Sequence, residues 1–140
     1  MSVGDHGAAG PIIYVDRSDV HRDRWDELKA AIRSLVAFVD AHQPQMATYG
    51  FYLDEDADRM TVVSVHPNSA SLERHVDIGG PEFKKLGPFL TLREIEVFGH
   101  LSARATELVN HKADALGREG TVRFHEQFAG FARLDIPTQQ

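Results

Sequence analysis

The run Met60-Thr61-Val62-Val63-Ser64-Val65-His66-Pro67-Asn68-Ser69-Ala70-Ser71-Leu72-Glu73-Arg74-His75-Val76 decides how this chain folds. Its first half is apolar at Met60, Val62, Val63 and Val65, the composition of a strand whose two faces are both covered. His66-Pro67-Asn68-Ser69 ends that strand, and Asn68 or Ser69 offers a side-chain oxygen to the free N–H groups of a following helix. The helix is expected to run to about Val76. Gly79-Gly80-Pro81 should break it ahead of a short helical turn over residues 82–86.

Upstream, residues 46–53 alternate, with Ala47, Tyr49, Phe51 and Leu53 on one side and Met46, Thr48, Gly50 and Tyr52 on the other. The polar stretch Asp54-Glu55-Asp56-Ala57-Asp58 joins them to the strand at Met60, which reads as an antiparallel hairpin. Ahead of the hairpin, Trp25, Leu28, Ile32, Leu35, Val36 and Val39 recur at helical spacing, with Ser18 or Asp19 placed to cap. That helix should end near His42, because Pro44 disfavours helix in the residue before it. Ile12-Ile13-Tyr14-Val15 supplies a first strand. Downstream, residues 91–98 form another, with Ile95 and Val97 alternating against Glu94 and Glu96. The order is β-α-β-β-α-β, the split βαβ pattern of an α+β, ferredoxin-like core.

An extension follows. Ser102 is placed to cap a third helix carrying Leu101, Ala105, Leu108, Val109 and Leu116, and Gly117 and Gly120 bracket its end. Residues 121–134 read as a fifth strand in which Phe124, Phe128 and Phe131 supply apolar surface. The expected organisation is one domain over 1–140, with a flexible lead-in at 1–10, a core at 11–99, and a helix-and-strand extension at 100–134.

At 140 residues, 42% hydrophobic and 26% charged, the chain has the balance of one globular domain. Its formal net charge of −6, with basic residues scattered among acidic ones, points away from nucleic acid. The absence of cysteine removes disulfides, thiolate nucleophiles and cysteine-based metal sites, and fits the cytoplasm. No signal peptide and no apolar run long enough to cross a bilayer is visible, so no membrane partner is expected.

Helices on one face of a four-stranded sheet leave the other face open. Two copies packed face to face would bury it as a homodimer, with the extra strand pairing to the partner's sheet edge. The alternative is a monomer whose third helix covers that face.

The phrase from Val62 to His75, leading to Pro81-Glu82-Phe83, resembles the antibiotic biosynthesis monooxygenase-like family of dimeric α/β barrels. In that family a strand ends in a short turn, a helix carries a small residue followed at a fixed distance by His, and a Phe comes a few residues later. His75 and Phe83 match the last two features, and the resemblance covers roughly residues 12–98. It implies a pocket between sheet and helices near the end of the third strand. Some members oxidise aromatic polyketides with dioxygen and without metal or flavin, so no cofactor is implied. This chain departs from the pattern where many members carry Trp, since His66 stands there. Haem-degrading members place a ligand His after the Phe, where this chain has Lys84-Lys85-Leu86-Gly87, so haem chemistry is not expected.

Of the eight histidines, none falls in a metal-ligand spacing, so no metal site is expected. His66 and His75, at a strand end and on the next helix, are the candidate general bases, because imidazole titrates near neutrality. The competing reading packs His75 against the sheet with one nitrogen satisfied by a backbone group. Arg93 is the candidate stabiliser of enolate or superoxide charge. Tyr14, Tyr49 and Tyr52, together with Phe83 and Phe89, are the candidate substrate contacts, although such rings also serve as core or interface residues. Three functions follow: a cofactor-independent monooxygenase for a small aromatic or polyketide-like ligand, a non-catalytic dimeric binding module, or an oxygen-independent isomerase or dehydratase.

Overall fold

The computed structural model describes residues 10–116 and 121–134, without the side chain of Leu116. Among the described residues, strands β1 (Ile12–Val20), β2 (Thr48–Asp54), β3 (Arg59–His66), β4 (Leu90–Phe98) and β5 (Thr121–His125) form one sheet in the order β2-β3-β1-β4-β5. Helices α1 (Trp25–His42), α2 (Ser69–Phe83) and α3 (Ala103–Leu116) accompany it. The first four strands pair antiparallel, as the β-α-β-β-α-β order requires, and β5 adds in parallel to β4.

The alternation within the strands assigns the two faces. Ile12, Tyr14, Asp16, Ser18 and Val20 of β1 and Met60, Val62, Ser64 and His66 of β3 are buried. Leu28, Ile32, Leu35 and Val39 of α1 pack on Met60 and Val62 in one apolar cluster. Ala105 and Val109 of α3 pack with Ile12, Tyr14, Ile95 and Val97 in a second. The opposite face carries the intervening residues, with Ile13 42% and Tyr52 62% exposed. The sheet thus has a covered face and an open one.

Several local expectations need correction. β1 runs on through Val20, so Ser18 and Asp19 are strand residues rather than caps, and α1 starts after a 3₁₀ turn at Arg22–Arg24. The Trp25 indole donates to Asp58 Oδ1 at 3.1 Å, and Arg22 donates to Oδ2 at 2.9 Å, which ties the entry of α1 to the β2–β3 turn. These donors hold the Asp58 carboxyl below the usual carboxylate range. α2 does not stop at Gly79-Gly80-Pro81 but continues to Phe83. Gly79 is buried, and a Cβ there would lie 3.3 Å from Gln43 Nε2 and 3.5 Å from the His75 ring. Its missing side chain therefore serves close packing rather than termination.

The caps of α2 and α3 follow the sequence. Asn68 Oδ1 accepts from the Ser71 N–H at 2.9 Å, and Ser102 Oγ accepts from the Ala105 N–H at 3.0 Å. The fifth strand is shorter than expected. It ends at His125, and Phe128 and Phe131 beyond it are 103% and 77% exposed, so neither contributes to the core. β5 pairs with β4 of its own chain, Phe98 opposite His125. Gly117 and Gly120 lie outside the described residues. At Gly99 the turn after β4 has φ +129°, and a Cβ would come within 2.6 Å of the Pro11 carbonyl oxygen, a position open only to glycine.

Candidate functional site

The covered face is not wholly apolar. Tyr14, Asp16 and Ser18 are successive inward residues of β1, and the register sets Tyr14 beside Ser64 of β3 and Val97 of β4. The Tyr14 hydroxyl donates to Asp16 Oδ2 at 2.7 Å. Lys112, one turn beyond Leu108 on α3, reaches the same oxygen at 3.4 Å. Its ammonium lies 4.6 Å from the centre of the Tyr14 ring and 4.0 Å from that of Phe83. Asp16 is completely buried, and its Oδ1 has no hydrogen-bond partner among the described residues.

Two histidines stand beside this group, 5.4 Å apart between ring centres. His66 Nδ1 is 2.8 Å from Ser71 Oγ and its Nε2 is 3.1 Å from Ser64 Oγ. His75 Nδ1 is 3.1 Å from Gln43 Oε1, and the Tyr49 ring meets it edge-on at 5.1 Å. In this orientation the Gln43 oxygen accepts, so Nδ1 of His75 carries the proton and Nε2 keeps its lone pair.

Burial governs the electrostatics. It pulls His66 down to about 4, helped by the Lys112 charge, and His75 down to about 3, helped by Lys112 and His66. Both imidazoles are therefore neutral near pH 7. Burial also raises the Tyr14 and Tyr49 hydroxyls, with the Asp16 carboxylate adding to both. For Lys112 burial lowers the ammonium and Asp16 opposes the change.

A cleft of about 240 Å³ opens between α2 and α3 over this group. Val76, Pro81, Leu108 and Ala115 supply apolar wall, the buried lining residues are His75, Gly79 and Phe83, and Lys112 is half-buried among them. A second hollow of about 200 Å³ lies where α1 ends, with Gln43, Met46 and Tyr49 among its walls. Gln43 and His75, joined by their hydrogen bond, separate the two. Among the described residues no group of three or more His, Asp or Glu side chains is placed to hold a metal ion.

The expected site residues divide. Tyr14, Tyr49, His66, His75 and Phe83 converge on the covered face. Tyr52 is exposed on the open face, folded over Gly50. Arg93 stands exposed at the register shift of β4 and donates to Asp19 at 2.5 Å. Phe89 packs on the α1 cluster beneath the Arg24 guanidinium, away from the cleft. Asp16, Lys112 and Gln43 were not anticipated. Asp16 had a signal, because it stands in phase with Ile12 and Tyr14 on the inward side of its strand. Lys112 and Gln43 carried none, since one is polar on a helix and the other polar just past the end of α1, and only packing buries them.

This arrangement has the fold of the antibiotic biosynthesis monooxygenase-like proteins. Three solved structures show the likeness. MupZ from Pseudomonas fluorescens shares 13% identity over 89% of this chain and 95% of its own, with a TM-score of 0.69. A Caulobacter crescentus protein described as a candidate antibiotic biosynthesis monooxygenase shares 18% over 70% of this chain and 96% of its own, at 0.59. SnoaB, a cofactor-independent oxygenase from Streptomyces nogalater, shares 19% over 68% of this chain and 97% of its own, at 0.54. The MupZ match spans more of the chain than the core over 12–98 can supply, so it reaches into the extension of α3 and β5. At these identities the likeness is one of fold. No family model and no curated protein matches the sequence. Among the described residues no helix is long and apolar enough to cross a membrane.

Proposed function

We propose that this chain is a cofactor-independent monooxygenase for a small aromatic or polyketide-like compound bound in the cleft between α2 and α3. The observation that carries the reading is the buried Tyr14–Asp16–Lys112 group under that cleft. A buried ion pair is commonly matched or exceeded in stability by apolar residues of the same volume, so it marks a position where chemistry is a good reason to keep charge.

The reaction needs an acidic C–H next to a phenol or carbonyl. His75 Nε2 on the cleft wall takes the proton, and the electron pair spreads onto the substrate oxygen as an enolate. A base held at about 3 drives little transfer alone, so the Lys112 ammonium has to acidify the substrate by stabilising that oxyanion. Asp16 keeps Lys112 charged and Tyr14 holds Asp16, which makes both positioning residues. The carbanion passes one electron to dioxygen, the radical pair closes to a carbon–peroxide, and loss of water leaves a carbonyl. In sum a CH₂ group and O₂ become C=O and H₂O. Arg93, on the other face, has no part in this scheme.

Oxygen uptake with anthrone-like and quinol substrates tests the reading, with one O₂ consumed per carbonyl formed as the expected result. Silence across a broad panel would overturn it. Equal turnover under argon would favour the oxygen-independent isomerase or dehydratase, since the His75–Lys112 pair itself calls for no oxygen. The exposed Ile13, Tyr52 and Phe98 on the open face support a homodimer joined there, which sedimentation equilibrium checks.

A further inference from the structure

The charge of the cleft runs against that of the chain. The formal net charge is −6, yet the charged lining consists of Lys84 and Lys112 against a single carboxylate, Asp77. Asp77 is already engaged, accepting from Arg104 at 2.9 and 3.0 Å. Lys85 pairs with Glu82 at 2.9 Å, whereas Lys84 beside it has no carboxylate partner among the described residues.

Lys112 is the more informative of the two lysines. Its ammonium has three N–H donors. Among the described residues it meets one lone-pair acceptor, Asp16 Oδ2, at the long distance of 3.4 Å. The Tyr14 and Phe83 rings accept the charge but offer no lone pair. Only 14% of this side chain is exposed, so water does little to satisfy the remaining donors. An oxygen acceptor entering through the cleft would satisfy them, and an anionic one would do so most strongly.

We infer that the cleft takes an amphiphilic carboxylate, its apolar body against Val76, Phe83 and Leu108 and its carboxylate head on Lys112. This deepens the reading of the cleft as a substrate site by naming the ligand class, and it rests on that site without requiring its reaction with oxygen.

Gly80 makes the claim testable. It lines the cleft, and a Cβ there would meet nothing within 4 Å. Gly80→Leu fills the cleft but crowds the Pro81 ring in a helical backbone, so Ala115→Leu, at another lining position, is titrated beside it, and urea melts check that both variants fold. Lys112→Met alone would strand a buried carboxylate, so the charge is removed as a pair in Asp16→Asn/Lys112→Met.

Calorimetric titration of the full chain with 2-naphthoate and with 2-naphthamide, its neutral isostere, is the experiment. The acid is expected to bind about ten-fold tighter than the amide. The paired variant should lose that preference, and Gly80→Leu and Ala115→Leu should each weaken both probes. Equal affinity for acid and amide, binding of neither, or naphthoate affinity that neither Gly80→Leu nor Ala115→Leu changes would each overturn the inference. A chain that prefers naphthoate as described but consumes no oxygen with any substrate keeps the carboxylate site and loses the oxygenase reading. Oxygen consumption with neutral substrates and no acid preference does the reverse.

Discussion

Asp16 and Arg17 are neighbours on β1, and the sheet sends them into different solvents. Asp16 turns toward the helices, is fully buried, and meets Tyr14 and Lys112 with one oxygen left unpartnered among the described residues. Arg17 turns to the open face, keeps 40% of its side chain exposed, and donates to Glu94 and Glu96 at 2.5 and 3.0 Å. Its guanidinium is raised above its ordinary value, first by the hydrogen bond to Glu96. The geometrically better pairs are thus on the side where they matter least, because water screens them. The longer contact lies where each charge has given up its hydration, and there the loss of a partner is expensive.

Removing one buried partner should have the largest effect. Lys112→Met is expected to destabilise the fold by about 3–5 kcal/mol, seen as a lower midpoint in urea. Asp16→Asn/Lys112→Met should recover most of that loss. A single variant that melts like the parent would show that Asp16 does not depend on Lys112.

Acid titrates the same contrast. His66 and His75 fall from 6.5 to about 4 and about 3 in the fold, so the unfolded chain takes up their protons first. Their neutral-state contribution is complete above about pH 6.5 and declines as the pH drops toward their folded values. Between pH 7 and pH 5 the two together should remove on the order of 3 kcal/mol. Denaturant melts across that range should show the loss, and His66→Gln and His75→Gln should each flatten the slope by up to one proton. A stability flat from pH 7 to pH 5 would contradict the burial of both rings.

The open face gives the smallest response. Arg17→Ala should cost less than about 1 kcal/mol, and the cost should shrink further in high salt. A larger, salt-resistant loss would mean that this face is itself desolvated, as a face-to-face dimer would make it.

The fold was legible wherever one pattern repeated. The stripe from Trp25 to Val39 buries a face, and Tyr49 and Phe51 of the alternating 46–53 half-bury one against it. Of the run expected to be covered on both faces, however, Val62 is buried while Val63 and Val65 are half-buried on the open side. It misled where a local breaker was outvoted. Gly79-Gly80-Pro81 looked like a stop, but Gly79 lets α2 close on Gln43 and His75, and the helix runs through. Phe124, Phe128 and Phe131 looked like core, but pairing stops at His125 and leaves the last two in solvent. For the site, His66, His75, Tyr14, Tyr49 and Phe83 were readable from residue type and place. Tyr52 has the right chemistry on the side of β2 that the strand period sets opposite Tyr49 and Phe51, whereas Arg93 is located only once the bulge near Arg17 is known.

By itself the sequence determined the order of the elements, a cap for α2 at Asn68 or Ser69 and for α3 at Ser102, and which residues of the α1 stripe turn inward, because these are set by contacts within a few residues. Only the tertiary structure decided that Lys112, ninety-six residues from Asp16, lies against it between two aromatic rings. It also decided that His75 and Gln43 share a hydrogen bond, and that α2 and α3 stand apart far enough to leave a cleft. Desolvation and charge pairing depend on what surrounds a side chain in space, and no local pattern along the chain records that.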